Sequence, residues 1–116
     1  GIILITAPSR GFIFHAYPND FWRYEREDIE NIFSDCEILV LEKDSRRFGV
    51  FAKIRKPKKF IENDLSAYKL YSIVANKRVK DITDKHFHTL YFIHLILKRK
   101  LKDILLKVSR YIFAKV

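Results

Sequence analysis

The chain has 116 residues, with 23 lysines and arginines against 14 aspartates and glutamates, 48% hydrophobic residues, 15% aromatic residues, one cysteine and three glycines. These values describe one small globular domain and exclude a disordered, collagenous or disulfide-built chain. A fold of this length buries about two thirds of the surface that its unfolded chain exposes, so a core forms without metals or cross-links. The single Cys36 has no partner for a disulfide and lies in an apolar run, so it reads as a small hydrophobe of a reducing, cytoplasmic compartment. The longest apolar stretch runs from Phe87 to Leu97, includes His88 and His94, and is far short of the roughly 20 residues needed to cross a bilayer. Gly1, Ile2, Ile3 and Leu4 read as the middle of a strand, with no initiating Met and no signal peptide, so the start is expected to be an interior cut. Gln and Met are absent beside abundant Lys, Ile, Phe and Tyr, a bias associated with thermophile chains.

In chain order, Ile2 to Ile5 form an aliphatic run closed by Ala7 and Pro8, the pattern of a strand buried on both faces with helices on either side. Ser9 to Tyr24 is a long loop rich in aromatics, and loops of that length and composition are usually functional. Glu25, Glu27 and Asp28 crowd the start of a short helix over about 26 to 34, with Ile29, Ile32 and Phe33 at helical spacing. Cys36 to Lys43 and Phe48 to Arg55 form an antiparallel hairpin, and Val50, Ala52 and Ile54 alternate with a wetter face. A right-handed crossover makes the first two strands parallel and leaves the third between them, antiparallel to both. The expected fold is therefore α/β, a three-stranded mixed sheet in the order first, third, second, with one helix and two further C-terminal helices.

Lys56, Pro57, Lys58 and Lys59 form a connector, and the charge changes there, from −1 up to Arg55 to +10 beyond it. Two parts are expected, 1–57 and a basic helical extension, 58–116. In the extension, Asn63 or Asp64 is expected to cap a helix through Leu65, Tyr68 and Ser72 or Ile73 that ends near Val79. A second helix follows Thr83 or Asp84, breaks once at most, and carries a long apolar stripe that includes Leu90, Leu97, Leu101, Ile104 and Val108. That stripe reads first as core and second as an interfacial face at a membrane surface.

The stretch from Gly1 to Pro57 resembles the last third of a class I S-adenosylmethionine-dependent methyltransferase domain of the broad type 11 group. The residues that carry the resemblance are the strand Gly1-Ile-Ile-Leu-Ile-Thr-Ala-Pro8, the aromatic loop His15-Ala-Tyr-Pro-Asn-Asp-Phe-Trp-Arg-Tyr24, the helix Glu25 to Phe33, and a hairpin that ends in Gly49-Val-Phe-Ala-Lys-Ile-Arg-Lys-Pro57. The resemblance implies that the three strands are the 5-7-6 part of that family's sheet and that the aromatic loop lies on the methyl-acceptor side. It nominates His15, Tyr17, Asp20, Trp22 and Arg23 as substrate-binding residues, with His15 suited to take a proton near neutral pH. Tyr17, Phe21, Trp22 and Tyr24 also suit packing, and Asp20 with Arg23 is a natural i, i+3 pair. The family holds its cofactor on a glycine-rich turn followed by an acidic residue, and Gly1, Gly11 and Gly49 trace no such turn. No cofactor is expected on this chain, and the expected function is a truncated or split methyltransferase-like protein, silent alone. Its strand Ile2 to Ala7 then lacks an outer neighbour, so a homodimer, a separate chain or the C-terminal helices are expected to cover that edge.

His86, His88 and His94 lack the i, i+3 or i, i+4 spacing of a helical zinc site, so no metal is expected. Nucleic-acid binding is the main rival, through Lys77, Arg78, Lys80, Lys98, Arg99, Lys100 and Lys102 on phosphates with aromatic rings on bases.

Overall fold

The computed structural model describes residues 1–14 and 19–115. In chain order the elements are β1 (Ile2–Pro8), β2 (Trp22–Arg23), α1 (Arg26–Ile32), β3 (Glu37–Asp44), β4 (Gly49–Arg55), β5 (Leu70–Ser72), β6 (Lys77–Val79), α2 (Asp84–Phe87) and α3 (Leu90–Ala114). They make a small α/β fold of two three-stranded sheets and a C-terminal helix.

The expected mixed sheet is corrected to an antiparallel one: the order is β1-β4-β3, with β4 antiparallel to both neighbours, so β1 and β3 share a direction but do not pair. The hairpin between β3 and β4 turns on Asp44, whose Oδ1 accepts from the amides of Arg46 and Arg47 at 3.0 and 3.1 Å. Phe48 follows with φ 51°, a left-handed conformation that reverses the chain into β4. Val50, Ala52 and Ile54 are buried and Phe51 is exposed, the alternation expected of a sheet covered on one face. Ile29 of α1 packs on those three side chains, and Ile5, Tyr24, Phe33, Leu41 and the half-buried Cys36 close around them. Burial first, and then the Asp35 carboxylate, push the Cys36 thiol up, which keeps it protonated as a small hydrophobe.

Burial of β1 on both faces is corrected. Its Ile3, Ile5 and Ala7 stand opposite Ile54, Ala52 and Val50, while Ile2 and Leu4 stand opposite Arg55 and Lys53 on the open face. Ile2, Ile3 and Leu4 are 46% to 66% exposed. The aliphatic run required neighbours on both faces and on its outer edge, but β4 takes one edge and α1 one face. The C-terminal helices leave this edge exposed.

The expected helix from Asn63 to Val79 is also corrected, because that segment forms the antiparallel strands β5 and β6. Asn76 takes a left-handed φ of 53° and accepts from the Tyr71 hydroxyl at 2.7 Å, while Ser72 Oγ accepts from the amides of Val74 and Ala75. These local bonds make a turn, which no helix through this segment tolerates. β5 then pairs with β2, giving the order β2-β5-β6, so the second sheet draws one strand from before the connector and two from after it. Asn63 is not a helix cap here. Its side-chain amide donates to the Asn31 carbonyl at 2.9 Å, satisfying an end group of α1, and to Ser34 Oγ at 2.8 Å.

Asp28 ties the two sheets together. It sits in the first turn of α1, fully buried, and accepts from the Glu25 amide at 2.8 Å, the Tyr68 hydroxyl at 2.8 Å and the Arg78 guanidinium at 2.7 Å.

The expected second C-terminal helix is present and breaks at His88 and Thr89, where Thr89 Oγ1 caps α3 by accepting from the Phe92 amide at 3.1 Å. Phe92 joins Phe14 and Val74 in a second core, flanked by Phe21, Ile73, Phe87, Leu95 and Ile96. Phe87 and Phe92 meet edge to face with ring centroids 5.2 Å apart. The reading of the long apolar stripe as core is corrected: Phe92, Leu95 and Ile96 dock α3, and the stripe through Leu97, Leu101 and Ile104 faces outward. The radius of gyration is 18.2 Å against about 13 Å for a compact chain of this length, because α3 runs on beyond the body.

Candidate functional site

A cleft of about 800 Å³ opens between the 10–14 segment, β5 and the body side of α3. Its position follows from three local features. After β1, the Ser9 amide donates to the Phe48 carbonyl at 2.8 Å and the Phe12 amide to the Ser9 carbonyl at 3.0 Å, closing a tight turn. Gly11 has φ +101° in that turn, and a Cβ there would lie 2.5 Å from the Phe48 ring, so only glycine fits. The turn brings Phe12 and Phe14 over the second sheet, facing Tyr71, Ile73 and Tyr91.

Arg23 holds this loop in place. Its guanidinium forms a two-pronged pair with Asp20 at 2.6 and 2.9 Å, and its remaining hydrogens go to the carbonyls of Phe12, Trp22 and Ile13 at 3.2, 2.8 and 3.0 Å. All five donors of the side chain are thereby engaged, and the residue is 1% exposed. Arg23 lines the cleft and braces its wall.

Among the described residues, Arg10, Lys98, Arg99 and Lys102 bring positive charge to the cleft and Asp103 brings negative charge. Arg10 lies over the Tyr71 ring at 4.4 Å from its centroid and Arg99 over the Phe14 ring at 5.7 Å, so cations and aromatic faces alternate. Burial is the main influence that pushes the Tyr91 hydroxyl up, with Tyr71 adding to it, so this group stays protonated as a donor. The arrangement suits an anionic ligand with a flat, apolar body. No group of three or more His, Cys, Asp or Glu side chains with metal-binding placement occurs among the described residues.

Of the residues nominated for substrate, His15 and Tyr17 lie outside the described residues. Asp20 and Arg23 come together as a buried pair, and Trp22 stands half-buried in β2 opposite Ser72. Lys98, Arg99 and Lys102 converge on the cleft, while Lys77, Lys80 and Lys100 lie outside its lining. Arg10, Tyr71 and Tyr91 were not singled out by sequence. They are far apart in the chain, and only the pairing of β2 with β5 and the docking of α3 bring them together.

Ser9 Oγ is fully buried and makes no hydrogen bond to a described residue. Ser9→Ala removes a hydroxyl held away from water at a cost, and is expected to stabilise the fold by about 1 kcal/mol, read as a rise of about 4 °C in Tm on thermal unfolding.

Compared with known proteins, the chain matches no family model, no curated sequence and no solved structure. No helix among the described residues is long and apolar enough to cross a membrane.

Proposed function

We propose that the chain is the acceptor-side part of a class I S-adenosylmethionine-dependent methyltransferase-like fold, silent until a cofactor-binding half completes its sheet. The observation that carries this reading is the β1-β4-β3 sheet, in which an antiparallel strand lies between two parallel ones joined through α1. That order supports a likeness to the 5-7-6 part of the family's sheet, and the apolar, uncovered edge of β1 is where the sheet would continue into a second copy or a separate chain.

The residues present do not fit S-adenosylmethionine. Gly11 accommodates the Phe48 ring, and Gly49 lies in β4 with the Ala7 carbonyl 3.6 Å from where a Cβ would stand. Neither belongs to a turn that brings backbone amides to a nucleoside, so no methyl transfer is assigned to this chain. The acceptor-side contribution is the basic, aromatic cleft, which selects for an anionic acceptor, and the unpaired Cys36 accords with a reducing, cytoplasmic setting.

Calorimetric titration with S-adenosylmethionine is expected to give no saturable heat, and saturable micromolar binding overturns the reading of a silent part. Affinity capture from the native cell is expected to recover a protein with a glycine-rich turn after a strand. Leu4→Lys, on the exposed edge, is expected to abolish that recovery while leaving the fold intact.

A second reading, single-stranded nucleic acid in the cleft, is favoured by the stacking of Arg10 on Tyr71 and the surrounding lysines. Retention of an oligonucleotide that falls steeply with salt and is lost in Arg10→Ala/Arg99→Ala supports it.

A further inference from the structure

The outer face of α3 is an extended apolar surface with no partner among the described residues. Each residue turns the helix by about 100°, which gathers Leu90, Leu97, Leu101, Ile104, Val108 and Ile112 on one face. These side chains are 50% to 86% exposed. Phe92, Arg99 and Asp103 fall on the opposite face, where Phe92 is buried in the second core and the other two line the cleft. The strongest apolar face of the helix therefore points away from the body.

Charge selects what covers that face. Between Leu90 and Lys115 there are seven basic residues and one acidic residue. Lys98 borders the apolar face on one side and Lys100 and Lys107 on the other, so any occupant meets aliphatic side chains in the middle and ammonium groups along both margins. A second copy of α3 would bring two such basic margins together at close range, which is repulsive. An anionic lipid surface complements both features, since it takes up apolar side chains at the depth of the acyl boundary and offers phosphates to the flanking lysines. No described helix is suited to span a bilayer, so the geometry is that of a helix lying in the interface.

We propose that α3 is an interfacial anchor that binds membranes of anionic phospholipid through this outer face. The body then lies on the water side of the helix, with Arg99 and Asp103 of the cleft on the face away from the lipid. Lys100 and Lys107 reach outward with their alkyl stems along the apolar face and their ammonium groups at headgroup level.

The test is flotation of the purified chain with vesicles of phosphatidylcholine alone and of equimolar phosphatidylcholine and phosphatidylglycerol, at physiological salt. Binding to the anionic vesicles is expected, with little on the neutral ones. Lys100→Gln/Lys107→Gln is expected to weaken binding by about 30-fold, from the loss of two surface attractions. Leu101→Glu/Ile104→Glu is expected to abolish binding while leaving thermal unfolding unchanged, since neither side chain belongs to a core. Absence of binding to anionic vesicles overturns the proposal, as does binding that survives the Leu101→Glu/Ile104→Glu change. A stable dimer by light scattering that the same double change dissociates also overturns it, and assigns the face to a second copy.

Discussion

Arg23→Ala is expected to destabilise the fold by about 3–5 kcal/mol, the range for removing one member of a buried ion pair. The loss has two parts. Asp20, 7% exposed, remains as a charge without its two-pronged partner, and the carbonyls of Phe12, Ile13 and Trp22 lose the donors that gather them. A stability of about 5–15 kcal/mol is ordinary for a domain, so this single change brings the protein near unfolding. Arg23→Lys is expected to recover little, because an ammonium has three donors on a point charge in place of a planar fork of five. Asp20→Ala/Arg23→Ala is expected to cost less than the sum of the two single changes, since the two-pronged pair they share is lost only once. Urea unfolding of the wild type, Arg23→Ala, Arg23→Lys, Asp20→Ala and the double variant measures this. A loss below about 1 kcal/mol for Arg23→Ala would refute the bracing role, since even one ordinary hydrogen bond contributes that much.

Asp28→Ala is expected to cost about 2–3 kcal/mol, less than Arg23→Ala although Asp28 is as deeply buried. The difference lies in its partner: the Arg78 side chain is 42% exposed, so water takes over part of the lost solvation. What disappears is the bond to the Glu25 amide that starts α1, worth about 1 kcal/mol as a cap, and the charge-assisted bonds from Tyr68 and Arg78 that join the two sheets. Burial alone raises the Asp28 carboxyl, but hydrogen bonds from Arg78, the Glu25 amide and Tyr68 outweigh it and hold the group below its ordinary 3.8. A folded value below the unfolded one means the carboxylate is bound more tightly in the native state. Its stabilisation is fully present above about pH 4 and is lost as pH falls through the lowered folded value. The stability gap between the wild type and Asp28→Asn, measured by urea unfolding from pH 7 downward, is therefore expected to narrow below pH 4. A gap that stays constant to pH 2 would show that the carboxylate charge is not what holds the sheets together.

Arg23 and Asp28 illustrate how far the chain reads by itself. The i, i+3 spacing of Asp20 and Arg23 suggested a pair, and the acids at 25, 27 and 28 suggested a helix start, because both depend on residues within one turn of each other. Of the three carbonyls that saturate Arg23, those of Phe12 and Ile13 come from 11 and 10 residues away and belong to irregular backbone, which has no periodic signature. Tyr68 and Arg78 reach Asp28 from 40 and 50 residues along the chain, so its role as a tie between sheets has no local trace.

Local periodicity in the sequence specifies the elements whose pattern is unambiguous: α1, the β3 and β4 hairpin with its alternating Val50, Ala52 and Ile54, and a long C-terminal helix. Tertiary structure decided the rest. From 65 to 79 the apolar spacing suited a helix, and the Ser72 and Asn76 turn together with pairing to β2 turned it into strands. Amphipathicity told which residues of α3 share a face, but the body took the face with Phe92, Leu95 and Ile96 because those aromatic and branched side chains fit the second core. The longer stripe was left to the outside. A period reports which side chains lie together, and only packing determines whether that side meets core, cleft or surroundings.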